Sequence, residues 1–300
     1  MNVKSVFHLL AFSFYVLFAV FSCNVRATEP TSQLLWPDGA PGALGEEDKD
    51  KPKIIAYSLA TKEAGPALVI CPGGGYRGLA MGHEGHDIAR WANSHGMSAY
   101  ILDYRHRGKG YGHPIPLQDA QRAIRTVRAN AADWNIDPAR IGILGFSAGG
   151  HLASTAITHF DDGNADSQDS IERVSSRPDF AVLCYPVIMF DSEFTHKGSQ
   201  QNLLGENASK ELVESLSNEK QVTEDTPPTF LFHTGEDKGV PPENSIHFYL
   251  ALRRANVPAE LHVFEKGRHG VGLGKSILGT GDWSSACAKW LANRGVIVKQ

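Results

Sequence analysis

Ile141-Gly142-Ile143-Leu144-Gly145-Phe146-Ser147-Ala148-Gly149-Gly150-His151-Leu152-Ala153-Ser154-Thr155-Ala156-Ile157 decides the fold of this chain. Residues 141–144 form an apolar run of strand length, and residues 150–157 have helical character. Between them, Gly145-Phe146-Ser147-Ala148-Gly149 puts small residues where a strained turn must pack closely. Such a turn lifts a serine hydroxyl above the end of a sheet. The pattern alone is weak, since a chain of this composition gives on the order of 0.2 chance matches. The strand before it and the helix after it carry the weight. The plain alternative is a glycine-rich turn with a solvated serine.

The same alternation extends outward in both directions. Apolar runs of strand length fall at 52–59, 67–71, 97–102, 141–146, 180–185, 229–233 and 260–264, each bounded by Gly, Pro or charge. Unbroken runs such as Ala67-Leu68-Val69-Ile70 suit strands buried on both faces. Helical spacing appears at 83–95, 117–134, 244–256 and 283–293, most clearly through Ala120, Ile124, Val127 and Ala131. This predicts an α/β protein with a mostly parallel central sheet and helices on both faces, as a single domain over 28–300. Residues 28–50 read as an exposed lead-in. Residues 190–226 stand outside the alternation and read as an insertion over the top of the sheet, helix-like at 209–216.

A serine hydroxyl is a poor nucleophile without a base. His269, in Gly267-Arg268-His269-Gly270, follows the last strand and is the candidate. An acid must hold the imidazole's tautomer and stabilise its charge. Asp237, directly after the strand at 229–233, fits the chain order Ser, acid, His, with Glu236 as competitor. Asp103 and Asp119 precede the serine and are in the wrong order. Acyl transfer also builds charge on a carbonyl oxygen, which preorganised N–H groups must meet. The run Pro72-Gly73-Gly74-Gly75-Tyr76 ends a strand, and Gly74, Gly75 and the Ala148 amide are the expected oxyanion donors. A phosphate cradle is the weaker reading, because the Lys-Ser/Thr of a phosphate loop is missing. Tyr76, His151 and Tyr104 are candidate substrate contacts, the tyrosines by stacking on sugar rings, although buried core aromatics are the commoner fate. His233 reads as structural, and His83 and His86 as surface or loop-packing residues.

These four motifs, with Asp103-Tyr104-Arg105 and the opening Leu35-Trp36-Pro37-Asp38-Gly39-Ala40-Pro41-Gly42, resemble the bacterial acetyl-xylan/feruloyl esterase-like (BD-FAE-like) α/β hydrolases over nearly the whole of 28–300. Pro72 departs from the related lipase branch, which has His before the three glycines. The resemblance implies an α/β-hydrolase fold and hydrolysis of a short acyl ester, acetyl on a carbohydrate, through an acyl-enzyme. This chemistry needs no metal or organic cofactor. The xylanase label carried by some members finds no recognisable pair of glycosidase carboxylates here. The same triad would serve a peptidase or lactone hydrolase, and a non-catalytic binding protein could keep the fold.

Composition is that of a globular chain: 300 residues, 42% hydrophobic, 21% charged, net charge −4. With no dense Lys/Arg run, nucleic acid and acidic membranes are not expected partners; a small-molecule or oligosaccharide ester is. Residues 1–27 read as a signal peptide cleaved after Ala27: Lys4, an apolar stretch over 6–21, then Val25-Arg26-Ala27. A secreted or periplasmic location follows, with no membrane attachment after cleavage. Lipidation at Cys23 and an uncleaved anchor are the rivals. Cys71, Cys184 and Cys287 then remain, an odd number that argues for buried apolar thiols rather than a disulfide framework.

Overall fold

The computed structural model describes residues 26–27 and 29–299. The proposed signal segment and Cys23 therefore lie outside the described residues, apart from a two-residue antiparallel pairing of Arg26–Ala27 with Leu59–Ala60. The eight-stranded sheet comprises β1 Thr31–Leu34, β2 Lys53–Tyr57, β3 Gly65–Cys71, β4 Ser98–Asp103, β5 Ile136–Phe146, β6 Phe180–Cys184, β7 Thr229–Thr234 and β8 Ala259–Phe264. Its spatial order is β1-β2-β4-β3-β5-β6-β7-β8. All pairs are parallel except β1·β2 and β2·β4.

Helices cover both faces, as the alternation of apolar runs demands. Along β3, Ala67, Val69 and Cys71 join one core with Ala120, Ile124 and Val127 of α2 (Ile115–Ala129), Leu152 of α3 (Ser147–Thr158) and Phe248 of α6 (Glu243–Arg254). Leu68 and Ile70 point the other way, joining Ile88 of α1 (Asp87–Ser94) with Trp283 and Leu291 of α7 (Trp283–Asn293). The period of two along the strand thus meets the 3.6 period of helices on either side. Each large apolar side chain so buried stabilises the fold by about 1.5–3 kcal/mol. Between β6 and β7 lie α4 (Lys197–Leu204) and α5 (Lys210–Ser215). Cys71, Cys184 and Cys287 are free and buried, and burial pushes each thiol up, far from reactivity. Among the described residues, no helix is long and apolar enough to cross a membrane.

Two expectations need correction. The lead-in is not simply exposed, because Thr31–Leu34 adds the antiparallel edge strand and Leu35 is buried behind it. Its alternation is too short and polar to signal a strand; pairing with β2 makes it one. The helix expected over 117–134 runs only to Ala129, where Asn130 caps it with its side chain on the Thr126 carbonyl at 2.8 Å.

A wholly buried ion pair anchors the lead-in. Arg105 Nη2 meets Asp119 Oδ1 at 2.7 Å, the Arg105 amide meets Oδ2 at 2.8 Å, and Arg105 Nη1 reaches the Pro41 carbonyl at 2.8 Å. The Arg105 guanidinium lies 5.6 Å from the Trp36 ring, and that of Arg122 lies 5.2 Å from the same ring. Removing one partner of such a pair leaves the other charge buried without compensation. Asp119→Ala is expected to lower stability by about 3–5 kcal/mol, read as a fall in the urea midpoint at unchanged slope. A loss under about 1 kcal/mol would show that the pair carries little.

Candidate active site

Ser147 closes β5 and opens α3 at φ +53°, in the left-handed region that costs a non-glycine residue about 1–2 kcal/mol. The neighbours make that turn possible by having no Cβ. A Cβ on Gly149 would lie 2.1 Å from the Cys71 carbonyl oxygen and 2.5 Å from that of Pro72. One on Gly73 would lie 2.9 Å from Ser147 Cβ and 2.8 Å from the Phe146 carbonyl. The end of β3, the glycine loop and the first turn of α3 therefore interlock at the serine.

The structure brings Ser147, His269 and Asp237 together. His269 Nε2 lies 2.7 Å from Ser147 Oγ, and His269 Nδ1 lies 2.7 Å from Asp237 Oδ2. Asp237 is buried, and its Oδ1 accepts from the Gly239 and Val240 amides, both at 2.9 Å. Burial pushes the Asp237 carboxyl up. Hydrogen bonds from His233 and His269, the His269 charge and the Val240 amide outweigh it and hold the group well below the usual carboxylate range. An ionised Asp237 requires the proton on His269 Nδ1, leaving Nε2 to accept from the serine hydroxyl. Glu236 does something else: its oxygens accept from Lys266 Nζ at 3.0 Å and the Gly267 amide at 3.1 Å, tying down the start of the histidine loop.

His233 is buried behind the acid. Its Nε2 donates to the Val240 carbonyl at 2.9 Å and lies 3.5 Å from Asp237 Oδ2, and its Nδ1 pairs with Ser245 Oγ at 2.8 Å. His86 Nδ1 pairs with the Tyr57 hydroxyl at 2.8 Å.

The expected oxyanion donors are free to serve. Ala148 is the second residue of α3, in the first turn, where amides have no intrahelical acceptor. Gly74 (φ +139°) and Gly75 (φ +64°) hold a loop that closes through Arg77 and Gly78 amides on the Gly74 carbonyl. Among the described residues, neither the Gly74 nor the Gly75 amide has an acceptor. The Gly73 amide is committed, donating to Glu84 Oε2 at 2.9 Å.

Tyr76 and Tyr104, expected as a surface for stacking, are both buried, and so is His151, expected to line the site. Tyr104 donates to the Pro72 carbonyl at 2.9 Å, under the glycine loop. Tyr76 donates to His151 Nδ1 at 2.9 Å, and His151 Nε2 donates to the Leu216 carbonyl at 2.9 Å. Burial lowers the His151 pKa to about 3, so the ring stays neutral. Phe190 stacks on it at 4.1 Å. Hydrogen-bonded at both ends, His151 clips the 190–226 segment to α3. Asn202 Nδ2 donates to the Gly75 carbonyl at 2.8 Å, clipping that segment to the glycine loop as well.

The sequence pattern does not flag Glu84, whose Oε2 accepts from the Gly73 amide and whose Oε1 accepts from the buried Tyr185 hydroxyl at 2.8 Å. The one available signal was an acid set between Gly82-His83 and Gly85-His86, where a buried partner would be needed.

The family model described as BD-FAE matches residues 55–252. The chain is 39% identical over 222 residues to endo-1,4-beta-xylanase B of Butyrivibrio fibrisolvens, covering 73% of this chain and 34% of that protein. It is 35% identical over 237 residues to the acetylxylan esterase of Xylanibacter ruminicola, covering 77% of this chain and 46% of that protein. It thus spans about a third to a half of these relatives' lengths. A solved acetyl ester-xyloside bifunctional hydrolase from Caldicellulosiruptor lactoaceticus superposes with a TM-score of 0.84 at 46% identity, over 89% of this chain and 97% of that one.

The depressed Asp237 carboxyl makes stability depend on pH. Its folded-state pKa lies below the unfolded value of 3.8, so the unfolded chain takes up the proton first as pH falls. The stabilisation from ionised Asp237 is fully present above that value and is lost as pH drops through the acid range. The gap in urea midpoint between the wild type and Asp237→Asn is therefore expected to persist down to about pH 5 and to shrink below about pH 4. A gap that ignores pH would show that the folded site does not favour the charged form.

Proposed function

We propose, from the premise that the chain belongs to the BD-FAE family of α/β hydrolases, that it is a serine esterase removing short acyl groups, acetyl first among them, from carbohydrate. One observation carries the reading: the hydrogen-bonded chain Asp237–His269–Ser147, with both links at 2.7 Å. Ser147 Oγ attacks the ester carbonyl carbon while its proton passes to His269 Nε2. Asp237, buried and ionised, stabilises the imidazolium and keeps its tautomer. The carbonyl oxygen, now an oxyanion, is met by the Ala148, Gly74 and Gly75 amides, each worth about 3–4 kcal/mol in such sites. The tetrahedral adduct collapses, the C–O bond to the alcohol breaks, and His269 returns its proton to the departing oxygen. Water, deprotonated by His269, then cleaves the acyl-enzyme and restores Ser147.

The carbohydrate part of the reading is supported by the relatives named for acetylxylan and acetyl ester-xyloside substrates. Ester rather than glycoside cleavage is favoured by the carboxylates tied to the site. Glycosidases aim two carboxyls at one bond. Here Asp237 is committed to His269 and two amides, and Glu84 is buried on Gly73 and Tyr185. Export through residues 1–27, leaving one domain over 28–300, suits a polymeric or oligomeric substrate outside the cell. The acidic balance keeps nucleic acid off the list of partners.

A fluorophosphonate probe should label the wild type at Ser147 and leave Ser147→Ala unlabelled, with kcat/KM on p-nitrophenyl acetate down by about 10⁴- to 10⁶-fold. Asp237→Asn should lose about 10³- to 10⁴-fold, and Glu236→Gln should stay within about threefold. Acetate release from acetylated xylo-oligosaccharides should exceed turnover of peptide and lactone panels. Labelling elsewhere, or equal losses at positions 236 and 237, contradicts the mechanism. A preference for peptides or lactones transfers the same triad to that chemistry.

A further inference from the structure

Glu84 sits on a single π-helical turn, Gly82–His86, and is buried between two loops of the site. Turns of this kind are rare and frequently mark functional positions. Glu84 Oε2 accepts from the Gly73 amide at 2.9 Å, and Oε1 accepts from the Tyr185 hydroxyl at 2.8 Å. Tyr185, also buried, follows β6 at φ +37°, pinned there by its own amide on the Phe232 carbonyl at 2.6 Å. Its hydroxyl accepts in turn from the Gly272 amide at 2.9 Å, and its ring meets that of His269 edge-on, 5.2 Å between centroids at 70°.

These contacts form one continuous path from the glycine loop to the histidine loop, Gly73–Glu84–Tyr185–Gly272, and no step of it passes through the triad. We propose that Glu84 and Tyr185 are positioning residues that hold the oxyanion amides and the His269 imidazole in register with each other during the reaction. The proposal rests on the esterase reading of Ser147, His269 and the Gly74 and Gly75 amides.

Residue chemistry selects this pair. The site presents two donors, a backbone N–H and a phenol O–H, and a carboxylate is the side chain that accepts at both ends. The Tyr185 hydroxyl donates to Glu84 and accepts from the Gly272 amide through a single oxygen. Binding the Gly73 amide to Glu84 commits it, and the chain then turns through Gly74 and Gly75, whose amides have no acceptor among the described residues. A shift of either loop moves donors away from the place where the oxyanion forms, which weakens the transition state more than the bound ester.

Glu84→Gln keeps the volume but sets an NH₂ against one of the two donors. Tyr185→Phe keeps the ring against His269 and removes the bridge. Each is expected to lower kcat on p-nitrophenyl acetate by about 10- to 100-fold, with KM within about threefold. Inhibition by phenylboronic acid, which adds to Ser147 as a tetrahedral adduct, should weaken in step with kcat. The double variant should lose little more than the worse single one, because the two act through one bridge. Rates are taken per fluorophosphonate-titrated site, so unfolded protein cannot imitate a slower enzyme, and Tyr185→Phe stands alone if Glu84→Gln does not fold. Variants that lose only thermal stability while keeping wild-type kcat and boronate affinity overturn the bridge, as does full additivity. A wild type that takes up no probe at Ser147 overturns the esterase reading, and this proposal with it.

Discussion

Ser147 is held at φ +53° because three backbone segments meet there with almost no room to spare. β5 delivers the chain, the glycine loop after β3 lies against Ser147 Cβ, and α3 leaves with Gly149 pressed on the Cys71 and Pro72 carbonyls. The cost of the strained dihedral, about 1–2 kcal/mol, is offset by the sheet and helix packing on either side. What the strain achieves is placement. The hydroxyl stands clear of the sheet, at the unpaired N-terminal amides of α3 and facing the loop that carries His269.

Around that point the protein uses buried polar groups for orientation. His233 braces the Asp237 loop, His151 clips α3 to the 190–226 segment, and Glu236 ties the histidine loop at Gly267. His233 and His151 are fully buried with both ring nitrogens hydrogen-bonded, which makes burial tolerable for a polar ring. Such networks are costly when incomplete, so they favour a single arrangement of the loops over neighbouring ones. The Arg105–Asp119 pair works on the same principle farther from the serine, anchoring the lead-in at Pro41.

Much of this could be read from the chain. The strands at 67–71, 141–146 and 229–233 and the helix at 283–293 are visible in their patterns, because burial on both faces of a parallel sheet writes an unbroken apolar run. The edge strand Thr31–Leu34 is not, since an antiparallel edge with one partner needs no such run. Tyr76 and Tyr104 look like surfaces for a sugar because aromatic side chains carry the same letters in a core as in a cleft. The loops folded around them make them hydrogen-bonded supports instead.

The elbow, the glycine loop and the order serine, acid, histidine were determined by the sequence itself, because backbone sterics at a turn and the succession of elements are local properties. Which acid meets His269 was not. Asp237 and Glu236 are adjacent in the chain, and their separate partners depend on how the loop after β7 folds back on itself through the Gly239 and Val240 amides. Nor was the bridge through Glu84 and Tyr185, whose contacts join residues 101 and 87 positions apart. Those pairings exist only through space, and nothing in the local sequence of either partner specifies the other.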